Sequence, residues 1–252
     1  MGMGTEGFDR YQDWDELEDA YRSKRVLSTG NSEMDKKMGG GIPVGSLTLI
    51  EGPNDSGKSV LSQQIMWGGL QQGFTVAYYT TENTVKSLIK QMESLSLDIS
   101  DYFILGKVKI FPIHLKGVEV SAPLLEYLLR SIKVLREEVV IIDSLTVFLS
   151  HAGSSDIDVI NFFANCKNLC DEGKTILVTA HEYAFSEELL VRIRSICDGH
   201  IRLRIEEVGT QLMKTMEVAK IRGADRTTGN IISFEVEPGF GLRIIPVSRA
   251  KA

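Results

Sequence analysis

The chain has 252 residues, 43% of them hydrophobic and 25% charged, which suits one α/β domain with a full core and hardly two. The net charge of -6, with no basic cluster longer than Arg22, Lys24 and Arg25, counts against a dedicated nucleic-acid binder, whose affinity rests on neutralising phosphates. No apolar run reaches the roughly 18 residues that cross a bilayer.

Residues 1–24 are acidic and polar and lack the basic-then-apolar layout of a secretory signal, so the expected location is cytoplasmic. Phe8, Tyr11, Trp14, Leu17 and Tyr21 recur every three or four residues and make one apolar stripe on a helix. The stripe fits two readings: cover for the protein's own core, or a partner-binding helix. The expected layout is therefore an appendage over 1–24 and one domain over 25–252.

From residue 46 the pattern repeats as apolar strand, turn and helix. Strands are predicted at Ser46–Glu51, Thr75–Thr80, Val108–Pro112, Val139–Asp143 and Thr175–Ala180. Helices are predicted near Ser59–Gln72, Val85–Leu95, Ala122–Glu137 and Ile157–Glu172. Short, continuous apolar strands alternating with helices indicate a mainly parallel sheet covered on both faces. After about residue 199 come His200–Val208, Gln211–Ile221, Ile231–Glu237 and Leu242–Val247, joined by short links such as Pro238-Gly-Phe-Gly241. These read as antiparallel hairpins extending the sheet.

The loop Gly52-Pro53-Asn54-Asp55-Ser56-Gly57-Lys58-Ser59 matches Gly-x-x-x-x-Gly-Lys-[Ser/Thr] in full, between a predicted strand and a predicted helix, and with Val60 after it makes the expected nucleotide-binding set. Gly52 and Gly57 let the backbone curl until successive N–H groups face phosphate oxygens. The helix adds its positive N-terminal end. Lys58 then reaches the β- and γ-phosphates of ATP, and the Ser59 hydroxyl ligates Mg²⁺. Val139-Val-Ile-Ile-Asp143 carries a carboxylate to the carboxyl edge of the sheet, where open α/β sheets bind ligands. Asp143 is expected to hold the Mg²⁺ through a water, with helix capping as the plain alternative.

Glu82 ends the strand after the phosphate loop and is a candidate to polarise the water that attacks the γ-phosphate. The competing reading is a carboxylate in a helix first turn. His181 ends Thr175-Ile-Leu-Val-Thr-Ala-His181 and is either a γ-phosphate sensor or structural. His114, His151 and His200 show no ligand-like grouping. Cys166 and Cys170 lie four apart on one helix face. With Cys197 they make an odd set without a Cys-x-x-Cys pair, which fits buried small apolar residues in a reduced compartment.

Thr29-Gly-Asn-Ser-Glu-Met-Asp35, Gly39-Gly-Gly-Ile-Pro-Val-Gly45, the phosphate loop, Ile141-Ile-Asp-Ser-Leu-Thr146 and Lys220-Ile-Arg-Gly223 follow in that order. The order resembles the KaiC and RadA branch of the RecA-like ATPases over nearly the whole chain from residue 25. The phosphate loop followed by Val60-Leu-Ser-Gln-Gln64 is similar in particular to the FlaH (ArlH) family of the archaeal flagellum, the archaellum. The resemblance implies a RecA-like fold, a homo-oligomer able to form hexameric rings, and ATP binding with slow or absent hydrolysis. It further implies association with the archaellum motor ATPase and the membrane platform protein, hence a cytoplasmic protein peripheral to the membrane. Lys220 and Arg222 match a Lys-x-Arg pattern that, in KaiC-like rings, reaches the neighbouring subunit's γ-phosphate. The alternative is solvated basic residues on a strand. KaiC-like ATPases carry two adjacent carboxylates after the second core strand, whereas this sequence has Glu82-Asn83, which implies weakened hydrolysis. Two other functions stay open at this point: a KaiC-like signalling ATPase or autokinase, and a RadA-like recombinase paralogue acting on DNA.

Overall fold

Residues 25–113, 124–151, 155–208, 211–222 and 230–245 are described by a computed structural model of the chain. The appendage over 1–24 with its aromatic stripe, His114, Gly223 and the start of the helix expected from Ala122 lie outside these residues. In chain order the first elements are β1 (Val26–Leu27), α1 (Ser32–Lys37), β2 (Ile42–Pro43), β3 (Leu47–Gly52), α2 (Lys58–Gln71), β4 (Val76–Thr80), α3 (Val85–Ser94), α4 (Ser100–Ile104) and β5 (Val108–Pro112). Then come α5 (Leu124–Val134), β6 (Val139–Asp143), α6 (Thr146–His151), α7 (Asp156–Asp171) and β7 (Thr175–His181). A 3₁₀ turn (Glu182–Ala184), α8 (Glu187–Ile196), β8 (Gly199–Val208), β9 (Gln211–Ile221), β10 (Ile231–Glu237) and β11 (Gly241–Ile245) complete the elements of the described residues.

Among the described residues, nine strands form one sheet in the order β11-β10-β9-β8-β3-β7-β6-β4-β5. The run from β8 to β5 is parallel, and β9, β10 and β11 join it antiparallel. Every residue of β3, β4 and β6 is buried, as expected of strands covered on both faces. Side chains alternate between two cores. Ile50, Tyr78 and Ile141 pack with Leu61, Ile65 and Leu88 on one face. Leu49, Tyr79 and Val140 pack with Leu128, Phe163 and Ile193 on the other. Full burial of each such side chain contributes about 1.5–3 kcal/mol.

The parallel strands and their helices follow the expected pattern to within a residue or two at most ends. Helices α1, α4, α6 and α8 lie where none was expected, and β8 has a pairing beyond the expected one. β8 was expected to open an antiparallel hairpin; it does pair antiparallel with β9, yet it also runs parallel to β3, with Thr48 opposite Gly199. Helix α8 makes that direction possible, because it carries the chain back to the start of the sheet after β7. Its signal is modest: a Ser186 cap and a buried face of Leu189, Leu190 and Ile193. The three cysteines are free and buried, and burial pushes their thiols up, that of Cys170 to about 12, as small apolar residues would be. Among the described residues no helix is long and apolar enough to cross a membrane.

Candidate functional site

The phosphate loop is built by close backbone approach. A Cβ on Gly52 would sit 2.6 Å from the Leu203 carbonyl oxygen and 2.8 Å from Ser56 Oγ, so β8 tolerates only glycine there. Gly57 has φ +97 and lies under the Phe234 ring, whose Cε2 would be 3.1 Å from an added Cβ. Ser56 Oγ donates to the Pro53 carbonyl at 2.8 Å, tying the loop across itself. Lys58 is 6% exposed. Its amine donates to the carbonyls of Gly52 (3.1 Å) and Pro53 (2.6 Å). Burial lowers its pKa, against the raising effect of Asp143, Glu82 and Asp55. Helices α1, α3, α7 and α8 are each capped by a side chain, from Asn31, Thr84, Ser155 and Ser186. Helix α2, starting from left-handed Gly57, has no side-chain cap. Its first N–H groups are thus left for a ligand.

Strand β6 brings Asp143 up beside this helix start. Its Oδ1 accepts from Ser59 Oγ at 3.1 Å and Thr179 Oγ1 at 2.7 Å. Its Oδ2 accepts from the Tyr78 hydroxyl at 2.7 Å. Burial raises the Tyr78 phenol far above its ordinary pKa, so the hydroxyl remains a donor. Glu82 lies just past β4. Burial and the neighbouring Asp143 and Asp55 raise its carboxyl, and Lys58 opposes them. Asn83 donates from Nδ2 to Gln91 at 3.4 Å. His181 is fixed by Thr146, whose Oγ1 accepts from the His181 N–H at 2.9 Å and meets Nδ1 at 3.1 Å. Burial and nearby Lys58 lower its pKa below the ordinary 6.5, against the raising effect of Asp143.

Of the residues singled out in the sequence, Asn54, Asp55, Gly57, Lys58, Ser59, Val60, Glu82, Asp143 and His181 line one cavity of about 520 Å³. Gly52, Pro53 and Ser56 shape the loop from beneath. Lys214 and Val236, from β9 and β10, line the same cavity and have no motif around them. The residues present fit a magnesium triphosphate: an uncapped helix start, buried Lys58, and the Ser59–Asp143 pair of hard oxygens. Among the described residues, no three His, Cys, Asp or Glu side chains gather as a metal site. Magnesium in nucleotide sites asks for no such cage, since it keeps waters and phosphate oxygens as ligands.

Lys220 and Arg222 lie elsewhere. Lys220 pairs with His200 at the start of β8, and His200 aligns with Leu49, three residues before Gly52. That is about 10 Å down the strand from the loop, at roughly 3.3 Å per residue. The Lys220 amine donates to the carbonyls of Arg194 (3.1 Å) and Cys197 (2.6 Å), at the end of α8. Arg222 donates to the Ser195 carbonyl at 3.4 Å and lies 3.6 Å from Asp198. Within one copy they cap a helix and do not line the cavity.

A family model described as ATPase: KaiC matches residues 27–249. The archaeal flagellar ATP-binding protein FlaH of Sulfolobus acidocaldarius is 32% identical over 90% of this chain and 100% of its own. The chain belongs to the FlaH family of KaiC-like ATPases. The FlaH of Methanocaldococcus jannaschii is 29% identical over 86% of this chain and 94% of its own. The crystal structure of the flagellar accessory protein FlaH from Methanocaldococcus jannaschii superposes with a TM-score of 0.81 at 28% identity, covering 88% of this chain and 100% of that one. A KaiC-like protein of Pyrococcus horikoshii shares the fold, with a TM-score of 0.71 at 21% identity over 88% of this chain and 99% of its own.

One feature of this FlaH-family chain carries no sequence motif. Glu51, the residue before the phosphate loop, is 1% exposed. Its Oε1 accepts from Arg194, from His200 Nε2 (2.9 Å) and from Arg202 Nε (3.0 Å). Burial raises the carboxyl, but His200, Arg202 and Arg194 hold it down to about 2. The network fastens the loop's entrance strand to β8 and α8.

Proposed function

We propose that this chain is the ATP-binding component of an archaellum motor, with nucleotide occupancy as the switch for self-association and partner binding. The observation that carries the reading is the convergence of Lys58, Ser59 and Asp143 on one cavity at an uncapped helix start. The FlaH relatives, described as archaeal flagellar ATP-binding proteins, supply the machine.

In this reading Lys58 releases the loop carbonyls and turns to the β- and γ-phosphate oxygens. The α2 amides bind phosphate oxygens, and Ser59 and Asp143 hold Mg²⁺, with Tyr78 and Thr179 fixing the carboxylate. Bound Mg-ATP supplies a concentrated charge whose presence or absence the loop registers. Glu82 with Asn83 leaves one carboxylate beside the γ-phosphate position, which supports slow or absent hydrolysis. Lys220 and Arg222 reach the γ-phosphate of a neighbouring copy in a hexameric ring, coupling ATP to assembly. The partners are the archaellum motor ATPase and the membrane platform protein, which hold the protein at the cytoplasmic face of the membrane.

Titration calorimetry with Mg-ATP, and light scattering with and without ATP and the motor ATPase, test the reading. The wild type is expected to bind ATP, and Lys58→Ala to lose both ATP binding and ATP-dependent association. Unchanged association in Lys58→Ala would remove the switch.

A further inference from the structure

Strands β9 and β10 close one side of the cavity. Phe234 and Lys214 are direct cross-strand partners, and both lie against the phosphate loop at Gly57. The Phe234 ring is in contact there, and Lys214 Cδ is 4.0 Å from where a Gly57 side chain would begin. The Lys214 stem thus crosses the loop backbone. Its amine emerges at the lip of the cavity, where it donates to the Asp55 carbonyl. An ammonium has three donors. The described contact uses one of them, on a neutral carbonyl and not on a carboxylate.

The charge around the cavity calls for such a group. Its lining sets the lysines Lys58 and Lys214 against the carboxylates Asp55, Glu82 and Asp143. The protein's own cations are outnumbered there, so a polyphosphate entering with its magnesium gains from a further ammonium within reach, and a partly buried charge contact is worth more than an exposed one.

We propose that Lys214 is a second phosphate-binding cation of this site, contributed by the antiparallel strands that adjoin the parallel core. In the nucleotide-bound protein its ammonium turns from the Asp55 carbonyl to a phosphate oxygen at the open side of the loop, opposite Lys58. The inference rests on the nucleotide reading above and adds a residue to it. It makes the antiparallel extension part of the binding machinery, so the packing of β9 and β10 on Gly57 sets affinity.

Lys214→Gln separates this role from simple support of the loop, because it keeps an N–H donor and most of the apolar stem at this position but carries no charge. The probes are Mg-ATP, Mg-ADP and inorganic tripolyphosphate, titrated calorimetrically at low and high salt into wild type, Lys214→Ala, Lys214→Gln and Lys214→Arg. A charge-assisted contact predicts about a ten-fold or greater loss of affinity for ATP and tripolyphosphate in both the Ala and Gln variants. It also predicts a shallower salt dependence in both and recovery in Arg. Equal thermal melts without nucleotide would show that the loss is not one of folding. Wild-type affinity in Lys214→Gln, or wild-type affinity in Lys214→Ala beside a Lys58→Ala variant that no longer binds, would overturn the Lys214 role alone. Failure of the wild type to bind any of the three probes would overturn the nucleotide reading and this inference together.

Discussion

Glu51→Gln tests the charged network under the phosphate loop. The native carboxyl titrates near 2 against an ordinary 4.5. Each pH unit between those values corresponds to about 1.4 kcal/mol, so the network favours the ionised carboxylate in the folded state by about 3 kcal/mol. Replacement by an amide keeps the shape but leaves Arg194 and Arg202 facing a neutral group. Their side chains are 22% and 29% exposed, so water relieves part of the loss, and the expected cost stays near the low end of the 3–5 kcal/mol typical for breaking a buried pair. For a domain of this size that lowers Tm by roughly 6–12 °C. The sign with pH follows from the lowered native pKa. The stabilisation is complete above about pH 4.5 and fades as pH falls toward 2. Urea or thermal unfolding of both proteins, followed by circular dichroism at pH 7, 4 and 2.5, is the assay. The gap between wild type and variant must narrow on acidification. A gap under about 1 kcal/mol at pH 7, or one that stays constant with pH, would refute the reasoning.

Two further outcomes follow from the site. Gly57→Ala should destabilise the fold by about 1–3 kcal/mol through its left-handed backbone and weaken ATP binding as Phe234 is displaced, whereas Gly73→Ala, also left-handed but with nothing within 4 Å, should cost only the strain; urea unfolding and calorimetry separate the two. Glu82→Gln should lower phosphate release more than ATP affinity. Because burial and Asp143 raise the Glu82 carboxyl, wild-type release should fall on acidification from a pH above the ordinary 4.5, and the Gln variant should lose that dependence in a phosphate-release assay run from pH 5 to 8.

Legible in the residues alone were the parallel strands, the phosphate-loop motif between strand and helix, and the place of Asp143 at a strand end. Each is written locally. The short, β-branched run Val139-Val-Ile-Ile-Asp143 suits a strand covered on both faces, and the spacing of glycines around Lys58 matches a phosphate loop within a few residues of chain. What those segments meet is set by the assembled sheet. Tyr78 and Thr179 fix Asp143 from neighbouring strands, Lys214 reaches Asp55 across 159 residues, and Arg202 reaches Glu51 across 151. The same holds for Lys220 and Arg222, whose Lys-x-Arg spacing says nothing of the helix end they cap, and for β8, whose direction depended on α8 returning the chain. Periodicity and motif spacing record which face a residue presents. They do not record which distant strand lies opposite it, because that partner is chosen by how the whole sheet is ordered.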